Sequence, residues 1–191
     1  MMTTTPSDAT STGSSGRECL VLTAVGPDRP GLVNALAALI RESGANLEDT
    51  RMAQLGGEFA VLLLVTGPDA ALERVESHKP RVEEQLGLTC YSKRTSPSAP
   101  ARDSLGYRMR VSGIDRPGIV QQVSGVLAQR SINVTSLSSR VANAPLTGTP
   151  MFYLDASLQV PGGVALSELR RALASTCDEE NLDFSLEADR G

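Results

Sequence analysis

Aromatic residues make up only 3% of this chain, and histidine occurs once, at His78. The shortage of rings excludes an RNA-recognition module, which stacks bases on aromatic side chains of its central strands; Phe59 and Phe152 stand nearly alone. His78 falls in a segment interrupted by Pro80, has no identifiable partner and reads as a surface residue rather than a catalytic base. The three cysteines, Cys19, Cys90 and Cys177, are far apart and have no close histidine. They offer neither a zinc site nor a disulfide framework, and reduced thiols are expected. No phosphate loop, metal-ligand cluster or framed Ser or Cys nucleophile is present, so the chain reads as a non-enzyme without metal or cofactor.

Positive charge is also in short supply. Lys and Arg total 18 against 22 Asp and Glu, for a net charge of −4 and a pI near 5.1. The basic residues are scattered, so direct nucleic-acid binding is not expected. No apolar run approaches the roughly 20 residues that span a bilayer. Residues 1–17 are rich in Ser, Thr and Gly, lack the basic and apolar regions of a signal peptide, and read as a disordered leader of a cytoplasmic protein.

What the chain does have is a repeat. Gly26-Pro27-Asp28-Arg29-Pro30-Gly31 returns as Gly113-Ile114-Asp115-Arg116-Pro117-Gly118, every matched pair lying 87 positions apart. Each copy follows a strand-like apolar run and precedes a helix-like one. Leu32, Leu36, Leu39 and Ile40 have the spacing of one buried helical face, and Ile119, Val123, Val126 and Leu127 match them in register. Gly44 and Ser131 follow these helices, and Asn46 and Asn133 open the next strands.

The first half continues with an extended run to about Leu55, a tight Gly56-Gly57 hairpin, and Phe59 to Val65, apolar enough to predict a strand buried on both faces. A helix with a kink or break near His78 to Pro80 follows, then a last strand over Leu88 to Lys93. The second half repeats the order, with a helix over Val164 to Glu180 and a strand carrying Leu182, Phe184 and Leu186. Its hairpin, Asn143 to Pro150, is six residues longer; this is either a contact element or a tolerated surface insertion. The fold class expected is α+β: two ferredoxin-like βαββαβ domains, 18–94 and 105–188, joined by a Pro/Ser-rich linker over 95–104. Such sheets expose edge strands, and edge pairing into a homodimer would cover them.

The repeated strand-to-helix turn is the only constellation above scaffold. Asp can cap the helix, Pro suits its first turn, and Gly admits close approach. Free N–H groups of a first helical turn can receive a carboxylate such as that of an amino acid, whose ammonium group Asp28 or Asp115 could face. The same residues serve equally as a well-capped turn, and Asn46 and Asn133 as turn formers. A side chain introduced at Gly118 would be expected to crowd any ligand.

Asp-Arg-Pro-Gly after the first strand, then a helix, a Gly or Ser, and Asn opening the second strand resembles the ACT domain, a small regulatory module that binds amino acids. Two of them in one chain, with Leu32-Val33 and Ile119-Val120 after the turns and Pro145, Gly148 and Pro150-Met151-Phe152 in the longer loop, are similar to the glycine cleavage system transcriptional repressor family. The resemblance implies a regulator that acts on a DNA-binding activator of glycine-cleavage genes, with glycine relieving the interaction. It also implies ligand sites between one domain's turn and the second strand of a neighbouring domain. That selects Asp28, Arg29, Pro30, Gly31, Leu32 and Val33 with Asn46 and Leu47, and Asp115, Arg116, Pro117, Gly118, Ile119 and Val120 with Asn133 and Val134. A regulatory or scaffolding subunit of a metabolic enzyme is the alternative.

Overall fold

The computed structural model describes residues 18–96 and 103–189, which fall into two compact units divided at residue 98. The first unit runs β1 (Cys19–Pro27), α1 (Leu32–Glu42), β2 (Asn46–Leu55), β3 (Glu58–Thr66), α2 (Asp69–Ser77), α3 (Lys79–Leu86) and β4 (Thr89–Thr95). The second runs β5 (Ser104–Ile114), α4 (Ile119–Ala128), β6 (Asn133–Asn143), β7 (Pro150–Pro161), α5 (Leu166–Glu179) and β8 (Leu182–Ala188). Each forms a four-stranded antiparallel sheet, in the order β2-β3-β1-β4 or β6-β7-β5-β8. This is the α+β, ferredoxin-like arrangement expected. Thr95 and Ser104, the ends of the expected linker, are strand residues; 97–102 and the leader lie outside the described residues.

One face of each sheet packs on its helices. In the first unit Leu20, Leu22 and Ala24 of β1 and Phe59, Val61, Leu63 and Val65 of β3 bury against Leu32, Leu36 and Ile40 of α1 and against Leu72 and Val75 of α2. In the second, Met109 and Val111 meet Ile119, Val123 and Leu127 of α4 and Leu169, Leu173 and Cys177 of α5. Burial of these side chains stabilises each unit by about 1.5–3 kcal/mol per large residue before entropic costs. The helix break is also present: α2 ends at Ser77, and Pro80 stands in the first turn of α3, where its missing N–H costs no helical hydrogen bond. Gly56 and Gly57 both take positive φ, 62° and 89°, as a two-residue hairpin requires.

Two expectations are corrected. β3 is buried along its whole length on one face only: Phe59, Val61, Leu63 and Val65 are inside, whereas on the other face Thr66 at the strand end is buried but Leu62 is 52% exposed. Its unbroken apolar run therefore reflects an apolar outer face, not helices on both sides. His78 is half-buried and engaged, its Nδ1 lying 2.6 Å from the Arg74 carbonyl at the end of α2.

The two outer faces differ in chemistry. Directly paired strand residues share a face, so the first sheet's outer surface reads across β2-β3-β1-β4 in three rows. These are Asp49-Leu64-Val21-Lys93, Arg51-Leu62-Thr23-Tyr91 and Ala53-Ala60-Val25-Thr89. At positions equivalent to Val21, Thr23, Leu62 and Ala60, the second sheet carries Arg108, Arg110, Asp155 and Tyr153. There Asp155 bridges Arg108 at 3.3 Å and Arg110 at 3.2 Å, and the Arg140 guanidinium stands 4.5 Å from the Tyr153 ring centre.

Candidate functional site

The turn after β1 has a geometry that sequence pattern alone misassigned. The residue that opens α1 is Gly31, at φ 95°, and Gly118 opens α4 at φ 100°. Side chains with a Cβ avoid this left-handed region, so glycine is required at both positions. No side chain caps either helix. Asp28 and Asp115 lie three residues upstream, and Pro30 and Pro117 precede the cap instead of occupying the first turn. The first helical hydrogen bonds run from Ala35 N–H to the Gly31 carbonyl and from Gln122 N–H to the Gly118 carbonyl. The N–H groups of the turn before them therefore have no helical partner.

Each turn is pinned at both ends. The Asp28 N–H donates to the Gly57 carbonyl at 3.2 Å, and the Asp115 N–H to the Pro150 carbonyl at 3.0 Å, anchoring the loop to the neighbouring hairpin. Arg29 reaches the opposite way, its Nη2 donating to the Gln85 carbonyl at the end of α3, 2.9 Å away. Arg116 does likewise, pairing with Glu180 at 3.2 Å beyond α5. A cation there also meets the negative end of a helix dipole. Both arginines thus brace the turn. The leading glycines have a packing role too: a Cβ on Gly26 would stand 2.5 Å from the Gly87 carbonyl oxygen, and one on Gly113 2.5 Å from Leu182 Cδ2.

In the first unit the turn borders an open depression of about 590 Å³, lined by Asp28, Arg29, Gly31, Leu32 and Val33 together with Asn34, Ala37, Met52 and Phe59. Gln54 of β2 donates from Nε2 to Asp28 Oδ2 at 2.7 Å. Asn34, Met52 and Gln54 were not among the expected site residues; the hairpin register brings Met52 and Gln54 of β2 beside the turn, and Asn34 stands in the first turn of α1. Gln54 corresponds to Val141 in the second copy, and no hydrogen bond or ion pair engages the Asp115 carboxylate among the described residues. The two turns are therefore chemically unequal. Space beside Gly118 is open, with nothing within 4 Å of a would-be Cβ, so a side chain there meets backbone strain before it meets a neighbour.

The asparagines lie elsewhere. Asn46 pairs with Thr66 at the end of the sheet where β1 begins, whereas Asp28 follows the end where β1 finishes. One strand length, roughly 30 Å, separates them. Asn133 and Val134, opposite Gln159 and Leu158, are as far from Asp115. Within one unit the two halves of the expected site do not meet. Leu47 and Val134 pack against their cores. A second depression, of about 540 Å³, lies on the outer face of the second sheet among Arg110, Arg140, Tyr153, Asp155 and Asp183. None of the expected site residues lines it.

No described group of His, Cys, Asp and Glu could hold a metal ion, and no described helix is long and apolar enough to cross a membrane. The Cys177 thiol is pushed up to about 11 by burial and by the nearby Asp178 and Asp183. Burial and Glu83 raise that of Cys90, against the lowering effect of Lys79. Both are poor nucleophiles near neutral pH.

Residues 18–92 and 107–173 each match the ACT domain. The chain is 29% identical over 174 residues to the glycine cleavage system transcriptional repressor of Escherichia coli K12, covering 90% of both chains. A solved structure of an unknown protein from Galdieria sulphuraria is 30% identical, with a TM-score of 0.75, over 90% of this chain and 98% of that one. Another, described as a candidate glycine cleavage system transcriptional repressor, is 30% identical with a TM-score of 0.70, over 91% and 98%. The chain belongs to the ACT-domain family, carries two such domains in tandem, and is similar along nearly its whole length to the glycine cleavage system transcriptional repressors.

Proposed function

We propose that this protein is an amino-acid-responsive regulator, without catalytic activity, that controls glycine-cleavage genes through a DNA-binding partner. The observation that carries the reading is the duplicated turn. Twice, a left-handed glycine opens a helix whose first N–H groups lack helical partners, beside an aspartate able to face an ammonium group. A small zwitterion such as glycine matches that pair of charges. Asp28 to Val33 and Asp115 to Val120 are the contacts proposed, Arg29 and Arg116 contributing backbone N–H groups while their guanidinium groups brace the turns. Because Asn46 with Leu47, and Asn133 with Val134, sit at the far ends of their sheets, they join a site only when contributed by a neighbouring domain.

The named repressors support the transcriptional side of the reading, and the net charge of −4 supports action through a partner instead of direct DNA binding. The site of action proposed is the cytoplasm. Calorimetric titration of the full chain with the common amino acids tests the sensor role. Saturable heat with glycine or another small amino acid, weakened by Asp28→Ala or Asp115→Ala, is expected; a folded protein that takes up none of them would remove the sensor role.

A further inference from the structure

We propose that the outer face of the first sheet docks a second copy of this chain, sheet against sheet, about a two-fold axis parallel to the strands. Val21, Val25, Ala60, Leu62 and Leu64 form its apolar centre. Leu62 is 52% exposed and Tyr91 65%. Apolar area of this kind on one face of a sheet marks an interaction surface. The fold does not demand it, because the second unit builds the same sheet with Arg108, Arg110 and Asp155 at the matching positions.

Self-complementarity identifies the occupant. A two-fold axis along the strands reverses the order β2-β3-β1-β4, so β2 faces β4 of the second copy and β3 faces its β1. Each row then lies over itself, end for end. Asp49 meets Lys93 of the partner subunit, and Arg51 meets the ring of Tyr91 of the partner subunit, a favourable cation–π pairing. Leu62 covers Thr23, Leu64 covers Val21, and Ala60 covers Val25. Within its own chain Asp49 accepts the Thr50 N–H at Oδ1, 2.7 Å away, while its Oδ2 holds only an exposed ion pair to Arg51, 3.4 Å long, which is readily exchanged. Beside Leu62 the small Ala53 and Ala60 leave a hollow of about 190 Å³ that an apolar side chain from the facing sheet can enter. Sheets packed this way stay within about 30° of alignment, so the charged ends remain in reach.

Sedimentation velocity on the full chain, from about 1 to 100 µM, reads the assembly directly. A dimer is expected, and Leu62→Arg should weaken it at least about thirtyfold by burying an unpaired charge, with an unchanged far-UV spectrum. Asp49→Lys and Lys93→Asp should each weaken the dimer, and the double variant should recover it, since every copy then presents the reversed pair. A monomeric wild type would overturn the proposal. So would a dimer indifferent to Leu62→Arg, as edge-to-edge pairing through β2 or β4 predicts, or a double variant no better than the singles.

Discussion

Gly31 and Gly118, at φ 95° and 100°, hold the backbone where only glycine is at ease. Gly118→Ala should therefore lower stability by about 1–2 kcal/mol in urea unfolding, although nothing lies within 4 Å of the new methyl group. Crowding is not the cause, so any change in ligand affinity beyond that stability loss reports on the turn's own N–H groups. Arg116 behaves differently. Its partner Glu180 lies past α5 and also accepts from Gln122 Nε2 of α4, and the Arg116 and Glu180 side chains are both partly exposed. Arg116→Ala should cost about 0.5 kcal/mol or less and should leave calorimetric amino-acid affinity almost unchanged. A large loss of affinity would place the guanidinium on the ligand after all. The arginines were legible as members of a motif but not as braces, because their partners are 56 and 64 residues distant in sequence.

At the scale of elements, periodicity revealed nearly everything that faces a core. Ile119, Val123, Val126 and Leu127 are all buried, and Ser131, aligned with Gly44, shares its left-handed conformation, at φ 54° against 75°. Periodicity misjudged β3, since an apolar outer face and a helix-covered one look alike in sequence. It also missed Cys177, which α5 buries completely against the second sheet. Its thiol titrates near 11 in the folded protein, against an ordinary value of 9.0. Between those values the unfolded chain binds fewer protons than the folded one, so stability should be complete below pH 9 and fall as pH rises toward 11. Thermal melts across that window should show a shallower decline in Cys177→Ala than in the wild type.

For the molecule as a whole, the tandem organisation was readable from the 87-residue offset alone, and the structure adds where the copies part company. The hairpin between β6 and β7 closes through residues 144–149, with the Ala144 N–H donating to the Thr149 carbonyl and Leu146 99% exposed. The first hairpin turns in two residues. Gln54 beside Asp28 has only Val141 as its counterpart. The placement of Asn46 and Asn133 opposite their turns was not legible, because a linear order of elements does not say which end of a sheet each residue reaches until the register is known.

The charged outer face of the second sheet has a consequence in the language of polymer chemistry. A chain with two mutually adhesive faces is a bifunctional monomer, and its association has no natural end. On the docking proposed above, Arg108, Arg110 and Asp155, standing where the first sheet has Val21, Thr23 and Leu62, would leave this protein monofunctional. Two sticky sheets in one chain would build a filament; charge on one of them would stop growth at the pair.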